Sequence, residues 1–155
     1  MSATEVLKAA RARGVMIATA ESCTGGMVAA ALTDIAGSSA VVDRGFVTYS
    51  NAAKMDMLGV SADTLEAHGA VSEQVAAEMA EGALRHSLAQ LTVSITGIAG
   101  PGGSEHKPEG RVCFGLAMTG RPTRTETVEF DAVGRDRVRC LSRDHALALL
   151  LGALV

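Results

Sequence analysis

A serine, a cysteine and a threonine follow one another in the segment TAESCTGG, residues 19–26, between an apolar run and the beginning of a helical pattern. In an open α/β sheet, loops that lead from a strand into a helix meet at the carboxyl ends of the strands, where helix N–H groups can face an oxyanion. Ser22 or Thr24 could simply cap the helix, or Ser22 could attack an electrophile. Cys23 is a second possible nucleophile, because a thiol at a helix N-terminus loses its proton more readily.

A possible base for Ser22 lies in the segment TYSNAAK, residues 48–54, at a second junction between a strand and a helix. No Ser-His-Asp set is spaced to activate the serine. A lysine kept neutral by burial or by a nearby cation can replace histidine as the base, and a tyrosine hydroxyl can relay or orient the proton. Lys54 and Tyr49 are therefore candidates, against the ordinary alternative of a solvated lysine and a half-buried strand tyrosine.

A third candidate is the glycine-rich segment SITGIAGPGGSEHKPEG, residues 94–110. A strand that ends at Thr96 and Gly97 and continues into several glycines can bring bare backbone close to a ligand, as phosphate-binding loops do. The Walker ending and the GxGxxG spacing are both missing, so the segment could equally be a plain connector.

The composition excludes several functional classes. The net charge of −3, with basic residues scattered outside 135–143, gives no electrostatic surface for nucleic acid. Three cysteines without a CxxC pair and four histidines without ligand spacing predict no metal and no cofactor. The N-terminus lacks the apolar core of a signal peptide, and the apolar C-terminal segment is about half as long as a membrane span. We expect a cytoplasmic protein that binds no membrane.

Strand and helix patterns alternate along the 155 residues and end with a hairpin and a helix. Ser2 and Glu5 form a capping box for the first helix, Asn51 is expected to cap a short helix that ends at Leu58, and Ser61 and Ser72 are expected to cap two later helices. The expected fold is α/β: a single three-layer α/β/α domain over residues 1–155 with a mixed sheet. Helices are expected over 2–14, 25–35, 51–58, 61–69, 72–87 and 135–152, and strands over 15–19, 45–50, 91–96, 111–118 and 123–130.

Five strings, in this order and approximate spacing, resemble the CinA C-terminal domain family: TAESCTGG, DIAGSS, RGFVTYSNAAK, HGAVSE and TGIAGPGGSEHKPEG. The resemblance covers about residues 5–150 and is similar in detail to the stand-alone nicotinamide mononucleotide amidases of that family. It implies hydrolysis of the carboxamide of nicotinamide mononucleotide to nicotinate mononucleotide and ammonia, in pyridine nucleotide salvage. It also implies a self-associating domain, expected as a dimer, that works without a metal. The additional phosphohydrolase activity of larger relatives is expected to be absent.

The resemblance assigns roles to individual residues. Ser22 matches the nucleophile, Lys54 the general base and Tyr49 the accompanying hydroxyl. The phosphate contact is assigned to Arg135, with Arg139 left as the alternative. The expected substrate contacts are Thr24, Gly25, Ser39, Thr96, Gly97 and Arg135.

Two further alternatives stay open: a module that binds pyridine nucleotides without turnover, and an amidase that uses Cys23. If Lys54 is the base, its pKa must be lowered, and we expect burial and repulsion from Arg135 to do this. A carboxylate in the cleft would oppose it, so Glu21 is expected to point away or to bind backbone N–H groups.

Overall fold

The computed structural model describes residues 2–155, with side chains from Ala3 onward, and contains a five-stranded sheet in the order β2-β1-β3-β4-β5. The capping box predicted for Ser2 depends on a side chain outside the described residues. The first three strands are parallel, and the last two form an antiparallel hairpin beside β3. The predicted α/β fold with a mixed sheet is confirmed. The strands are β1 (Ile17–Glu21), β2 (Val42–Val47), β3 (Leu91–Gly97), β4 (Arg111–Met118) and β5 (Arg124–Glu129).

Six helices and one short 3-10 turn, Ser38–Ala40, accompany the sheet. Helices α1, α2 and α6 cover one face, and α3, α4 and α5 lie on the other. Side chains alternate between the two faces of a strand. Ile17 of β1 therefore packs into the core beneath α1, α2 and α6, and Ala20 packs into the core on the opposite face, beneath α3 and α5. No helix between residues 2 and 155 is both long and apolar enough to cross a membrane. The helices are α1 (Ser2–Arg13), α2 (Met27–Thr33), α3 (Asn51–Leu58), α4 (Ala62–His68), α5 (Glu73–Arg85) and α6 (Arg135–Leu154).

Helix α5 packs directly on a part of the sheet where β3 presents hydroxyls instead of bulky apolar side chains. A Cβ at Gly115 of the neighbouring strand would lie 2.6 Å from the Ser94 hydroxyl, so this position has no room for a side chain. The β3 hydroxyls donate, at 2.6 to 2.8 Å, to main-chain carbonyls in or just before α5: Thr92 to Ala80, Ser94 to Ala76 and Thr96 to Ala70.

Two strands differ from the predicted bounds by two residues or more. β1 begins at Ile17 rather than residue 15, and β2 occupies Val42–Val47 rather than 45–50. The reason is that Ile17 pairs with Val42, which sets where β2 can continue the sheet. The predicted cap of α3 is also wrong by one residue: the Ser50 hydroxyl, not Asn51, accepts from the Ala53 N–H. The caps by Ser61 and Ser72 are confirmed.

Candidate active site

A cleft of about 350 Å³ lies at the carboxyl ends of β1 and β3. Parallel strands end together at this edge, so the loops after β1, β2 and β3 all reach it. The N-terminus of α6 closes the cleft from a fourth direction. Its lining includes Ser22, Cys23, Tyr49, Asn51, Lys54, Thr96, Gly97, Arg135 and the glycine-rich segment 98–105.

Ser22 is the first residue after β1, and its backbone is held on both sides. Its N–H donates to the Ile95 carbonyl at 2.9 Å, and its own carbonyl accepts from the Gly25 N–H at 3.0 Å. The residue is 8% exposed and lines the cleft. The serine hydroxyl therefore sits at the floor of the cleft on a backbone with two fixed hydrogen bonds.

Lys54 reaches Ser22 from the first turn of α3, across 32 residues of sequence. Its Nζ lies 3.0 Å from the Ser22 Oγ, 2.9 Å from the Thr48 carbonyl and 3.4 Å from the Tyr49 carbonyl. The lysine is only 1% exposed, and this burial lowers its pKa because the ammonium form loses its hydration. A neutral amine has two N–H donors and one lone pair, which match the two carbonyls and the serine hydroxyl.

The predicted repulsion between Arg135 and Lys54 is wrong. Burial is the cause that lowers the Lys54 pKa, and an ionised Cys23 would act in the opposite direction. The Arg135 guanidinium instead donates to the Gly100 carbonyl at 2.6 Å and to the Tyr49 hydroxyl at 3.0 Å, on the exposed rim. Desolvation alone therefore favours the neutral lysine.

The thiol beside Ser22 lacks the features of a reactive cysteine. Cys23 is 6% exposed, and burial raises its pKa to about 11 despite the nearby charges of Arg139 and Lys54. Since the thiolate is the reactive form, Cys23 stays protonated and inert near neutral pH. This geometry favours the serine over the thiol as the attacking group.

Glu21 occupies the start of α2 in place of a conventional cap. Its two carboxylate oxygens accept the backbone N–H groups of Val28 and Ala29 at 2.9 and 3.0 Å, which confirms the expected orientation of this side chain. The N-cap residue Gly26 provides no side-chain bond, so neither Ser22 nor Thr24 caps the helix. These two N–H groups are consequently not available to an oxyanion.

Tyr49 lies at the mouth of the cleft rather than beside the nucleophile. The residue is 62% exposed, and its hydroxyl accepts from Arg135. Within residues 2–155 that hydroxyl bonds neither Ser22 nor Lys54, whereas the Tyr49 carbonyl faces the lysine. The structure therefore brings Ser22 and Lys54 together and places Tyr49 and Arg135 together some distance above them.

The other predicted contacts are divided between the cleft and more distant places. Gly97 lines the cleft, while the Thr96 hydroxyl points away to the Ala70 carbonyl. Thr24 is fully buried, and its Oγ1 has no hydrogen-bond partner among the described residues. Ser39 lies in the 3-10 turn before β2, at the amino end of the sheet, so the structure does not bring it to the cleft of the same chain.

Gly25 and the glycine-rich segment, both predicted to contact a ligand, make contacts within the protein. A Cβ on Gly25 would lie 3.4 Å from the Arg139 guanidinium, so this glycine faces Arg139 and not the cleft. The Gly102 N–H donates to the Glu109 carboxylate at 2.7 Å, and Lys107 Nζ donates to the His68 and Val71 carbonyls at 2.6 Å each. The Gly102 N–H is thus bound to Glu109 of the same segment and is not free to bind a phosphate.

Sequence reasoning missed the role of Arg139, whose guanidinium donates to the Cys23 and Thr24 carbonyls. Its partners lie 116 and 115 residues away, and no local pattern identifies them. It also missed the Thr48 carbonyl, which is a backbone group. Within residues 2–155, no three His, Cys, Asp or Glu side chains come together as a possible metal-binding group.

The family model of the CinA C-terminal domain matches residues 1–154. The nicotinamide-nucleotide amidohydrolase PncC of Escherichia coli is 54% identical over 147 residues, which cover 94% of this chain and 88% of that protein. A CinA-like protein of Chlorobium phaeobacteroides is 58% identical over 139 residues, and the chain spans only 33% of its length. Among solved structures, the competence/damage inducible protein CihA of Agrobacterium tumefaciens superimposes with a TM-score of 0.94 at 48% identity, covering 97% of this chain and 92% of that one.

Proposed function

This chain belongs to the CinA C-terminal domain family, and we propose that it hydrolyses the carboxamide of nicotinamide mononucleotide to nicotinate mononucleotide and ammonia. The substrate class follows from the similarity to the nicotinamide-nucleotide amidohydrolases. The observation that carries the mechanism is the buried Lys54 Nζ, 3.0 Å from the Ser22 hydroxyl. A module that only binds a nucleotide has no need of a desolvated lysine against a serine.

In the first half of the reaction, neutral Lys54 takes the proton of Ser22 while the Oγ attacks the carboxamide carbon. The resulting ammonium can donate to the Thr48 and Tyr49 carbonyls and still hold one proton for the substrate nitrogen. That proton passes to the amide nitrogen as its bond to carbon breaks. Ammonia leaves, and the nicotinoyl group remains as an ester on Ser22.

In the second half, water replaces the amine. Lys54, neutral again, takes a proton from water as the water oxygen attacks the ester carbon. The lysine then returns this proton to the Ser22 oxygen when the ester bond breaks. The same amine therefore serves both half-reactions, and no other titratable group lies within hydrogen-bond distance of the Ser22 Oγ in the described residues.

The mouth of the cleft suits the phosphate end of the substrate. Arg135 is an exposed guanidinium at the rim, and arginine forms paired hydrogen bonds to phosphate oxygens. Arg139 is less suited to that contact because it is half-buried, does not line the cleft in the described residues, and binds the Cys23 and Thr24 carbonyls. We therefore assign the phosphate to Arg135, with the Tyr49 hydroxyl beside it.

The proposal also includes a biological setting. The reaction returns the pyridine ring to the nicotinate form, as a salvage step would, and the three cysteines are free thiols, as in a reducing cytoplasm. We further propose a single domain over residues 1–155 that self-associates as a dimer. Sedimentation of the purified protein at several concentrations tests the dimer.

Ammonia release from nicotinamide mononucleotide by the purified chain tests the proposal directly. Wild-type protein should release one ammonia for each nicotinate mononucleotide formed, and the Ser22→Ala variant should release none. Binding of the nucleotide without product, measured by calorimetry, would instead identify a binding module and refute the enzyme.

A further inference from the structure

The segment of residues 22–26, called here the nucleophile loop, has one internal main-chain hydrogen bond in the described structure, from the Gly25 N–H to the Ser22 carbonyl. Gly25 and Gly26 follow each other with φ angles of 58° and 108°, a backbone region that glycine enters freely. The α2 helix that follows has no side-chain cap from its N-cap residue. The loop therefore depends on contacts from other elements to keep Ser22 in one position.

Two side chains supply these contacts from opposite ends. Glu21 holds the first turn of α2 through the Val28 and Ala29 N–H groups. Arg139, in the second turn of α6, donates from Nε to the Cys23 carbonyl at 3.0 Å and from a terminal nitrogen to the Thr24 carbonyl at 3.4 Å. A negative group thus holds backbone donors, and a positive group holds backbone acceptors.

The Cys23 carbonyl depends on Arg139 in particular. The Thr24 carbonyl also accepts from the Met27 N–H, but the carbonyl of the buried Cys23 has no second donor in the described part of the chain. A buried carbonyl without a donor is costly, so the peptide unit after Ser22 would rotate or admit water if Arg139 were lost. Either change would move the serine relative to Lys54.

We propose that Arg139 is a positioning residue that keeps Ser22 aligned with Lys54 and with the substrate carbonyl. It differs from Arg135, which is one helical turn earlier on α6 and faces the rim. One helix would then control both functions of the cleft: Arg135 contacts the substrate, and Arg139 fixes the nucleophile. Gly25 fits this assignment, because its missing side chain leaves the space that the Arg139 guanidinium occupies.

The first test separates kcat from KM, and it rests on the proposed hydrolysis of nicotinamide mononucleotide. Misalignment of a reacting atom by about 1 Å costs roughly 100-fold in rate, so Arg139→Ala should lower kcat by about 10- to 100-fold with KM within about twofold. Arg139→Lys should keep part of the rate, since one ammonium can still reach the Cys23 carbonyl. Arg137→Ala is the matched control, because Arg137 is an exposed arginine on the same helix with no side-chain hydrogen bond in the described residues.

A second test does not need the natural substrate. A fluorophosphonate labels an activated serine: Oγ displaces fluoride from phosphorus while its proton passes to Lys54. Labelling of Ser22 should slow in Arg139→Ala by a factor similar to kcat, and millimolar guanidinium ion should restore part of both rates. If wild-type protein failed to hydrolyse the nucleotide but labelling still depended on Arg139, the proposed function would fail and this inference would stand.

Three results would overturn the inference. Unchanged kcat and labelling in Arg139→Ala would show that the loop keeps its position without the guanidinium. A raised KM with intact kcat would make Arg139 a substrate contact. A loss in Arg139→Ala that guanidinium does not restore, with an equal loss in Arg139→Lys and a lower Tm in both, would indicate general destabilisation.

Discussion

The floor and the mouth of the cleft are built in opposite ways. At the floor, Ser22 and Lys54 are 8% and 1% exposed, and two carbonyl acceptors and the Ser22 hydroxyl surround the lysine amine. At the mouth, Tyr49 is 62% exposed. The exposed Arg135 guanidinium donates hydrogen bonds to the Tyr49 hydroxyl and to the Gly100 carbonyl. Burial changes the proton affinity of a group, whereas exposure leaves a charge free to meet an incoming ligand.

In the proposed function, this difference assigns the chemistry to the floor and recognition to the mouth. A base must become neutral, which desolvation promotes, and a phosphate contact must stay charged and accessible, which solvent permits. Substitutions at the floor should therefore act on kcat, and substitutions at the mouth on KM. The expected effects below decrease from the floor to the mouth and end with a buried residue that takes no part in either.

The largest effect is expected for Ser22→Ala, which removes the attacking oxygen. Ammonia release from nicotinamide mononucleotide should fall to the uncatalysed level, while the Tm stays close to that of the wild type, because only one oxygen is removed and Lys54 keeps the Thr48 and Tyr49 carbonyls as partners. A coupled ammonia assay and a thermal melt measure the two quantities. Substantial activity in this variant would eliminate the serine mechanism.

Lys54→Arg should be nearly as severe. Arginine keeps the positive charge but does not release its proton near neutral pH, so it cannot act as a base. We expect both Lys54→Arg and Lys54→Ala to lose about 10²- to 10⁴-fold in kcat/KM, the usual range for a general base. An active Lys54→Arg enzyme would mean that the floor needs only a cation, and the contrast with the mouth would disappear.

A pH profile sharpens the same contrast. The neutral lysine is the active form, so kcat/KM should rise with pH through a limb below the ordinary lysine pKa of about 10.4. Because burial lowers the pKa in the folded state, the unfolded state binds more protons between the two pKa values, and stability should rise with pH across that window. In Lys54→Met, neither the residual kcat/KM nor the stability should show this rise with pH. If the rise in kcat/KM persisted in the variant, it would belong to another titrating group.

Sequence reasoning succeeded where a feature depends on neighbours in the chain. The caps by Ser61 and Ser72 were predictable because an N-cap needs only the following turn. The meeting of Ser22 with Lys54 was also within reach, since strands that end at one sheet edge bring their loops together. The order of strands, rather than any local motif, then creates the contact.

Features that depend on side-chain direction or distant partners were beyond the sequence. The interpretation of Tyr49 as a group beside Ser22 missed that its carbonyl, not its hydroxyl, faces the lysine. The expected binding of Glu21 to backbone N–H groups is confirmed, but the sequence did not identify Val28 and Ala29 as the donors. Such contacts are set by the angle between strand and helix, which residue types alone do not specify.

At the mouth, Arg135→Ala should mainly raise KM. Loss of a charge-assisted contact to phosphate costs about 1.5–3 kcal/mol, which corresponds to a rise of roughly 10- to 150-fold for the nucleotide. The phosphate-free riboside should be affected much less, and Arg137→Ala provides the exposed control on the same helix. Equal losses on nucleotide and riboside would show that Arg135 does something other than hold phosphate.

The smallest effect is expected for Cys23→Ala, although this side chain is buried and adjacent to the nucleophile. Its thiol has a pKa of about 11, so at neutral pH it provides no thiolate to attack the substrate or to charge-pair with Lys54. Replacing it removes one sulfur from the cleft wall, and we expect kcat within about threefold of the wild type, since no transition-state contact is lost. Loss of most activity in Cys23→Ala, together with survival of activity in Ser22→Ala, would transfer the nucleophile to the thiol. Retained activity in Cys23→Ala would show that the reaction does not need the thiol.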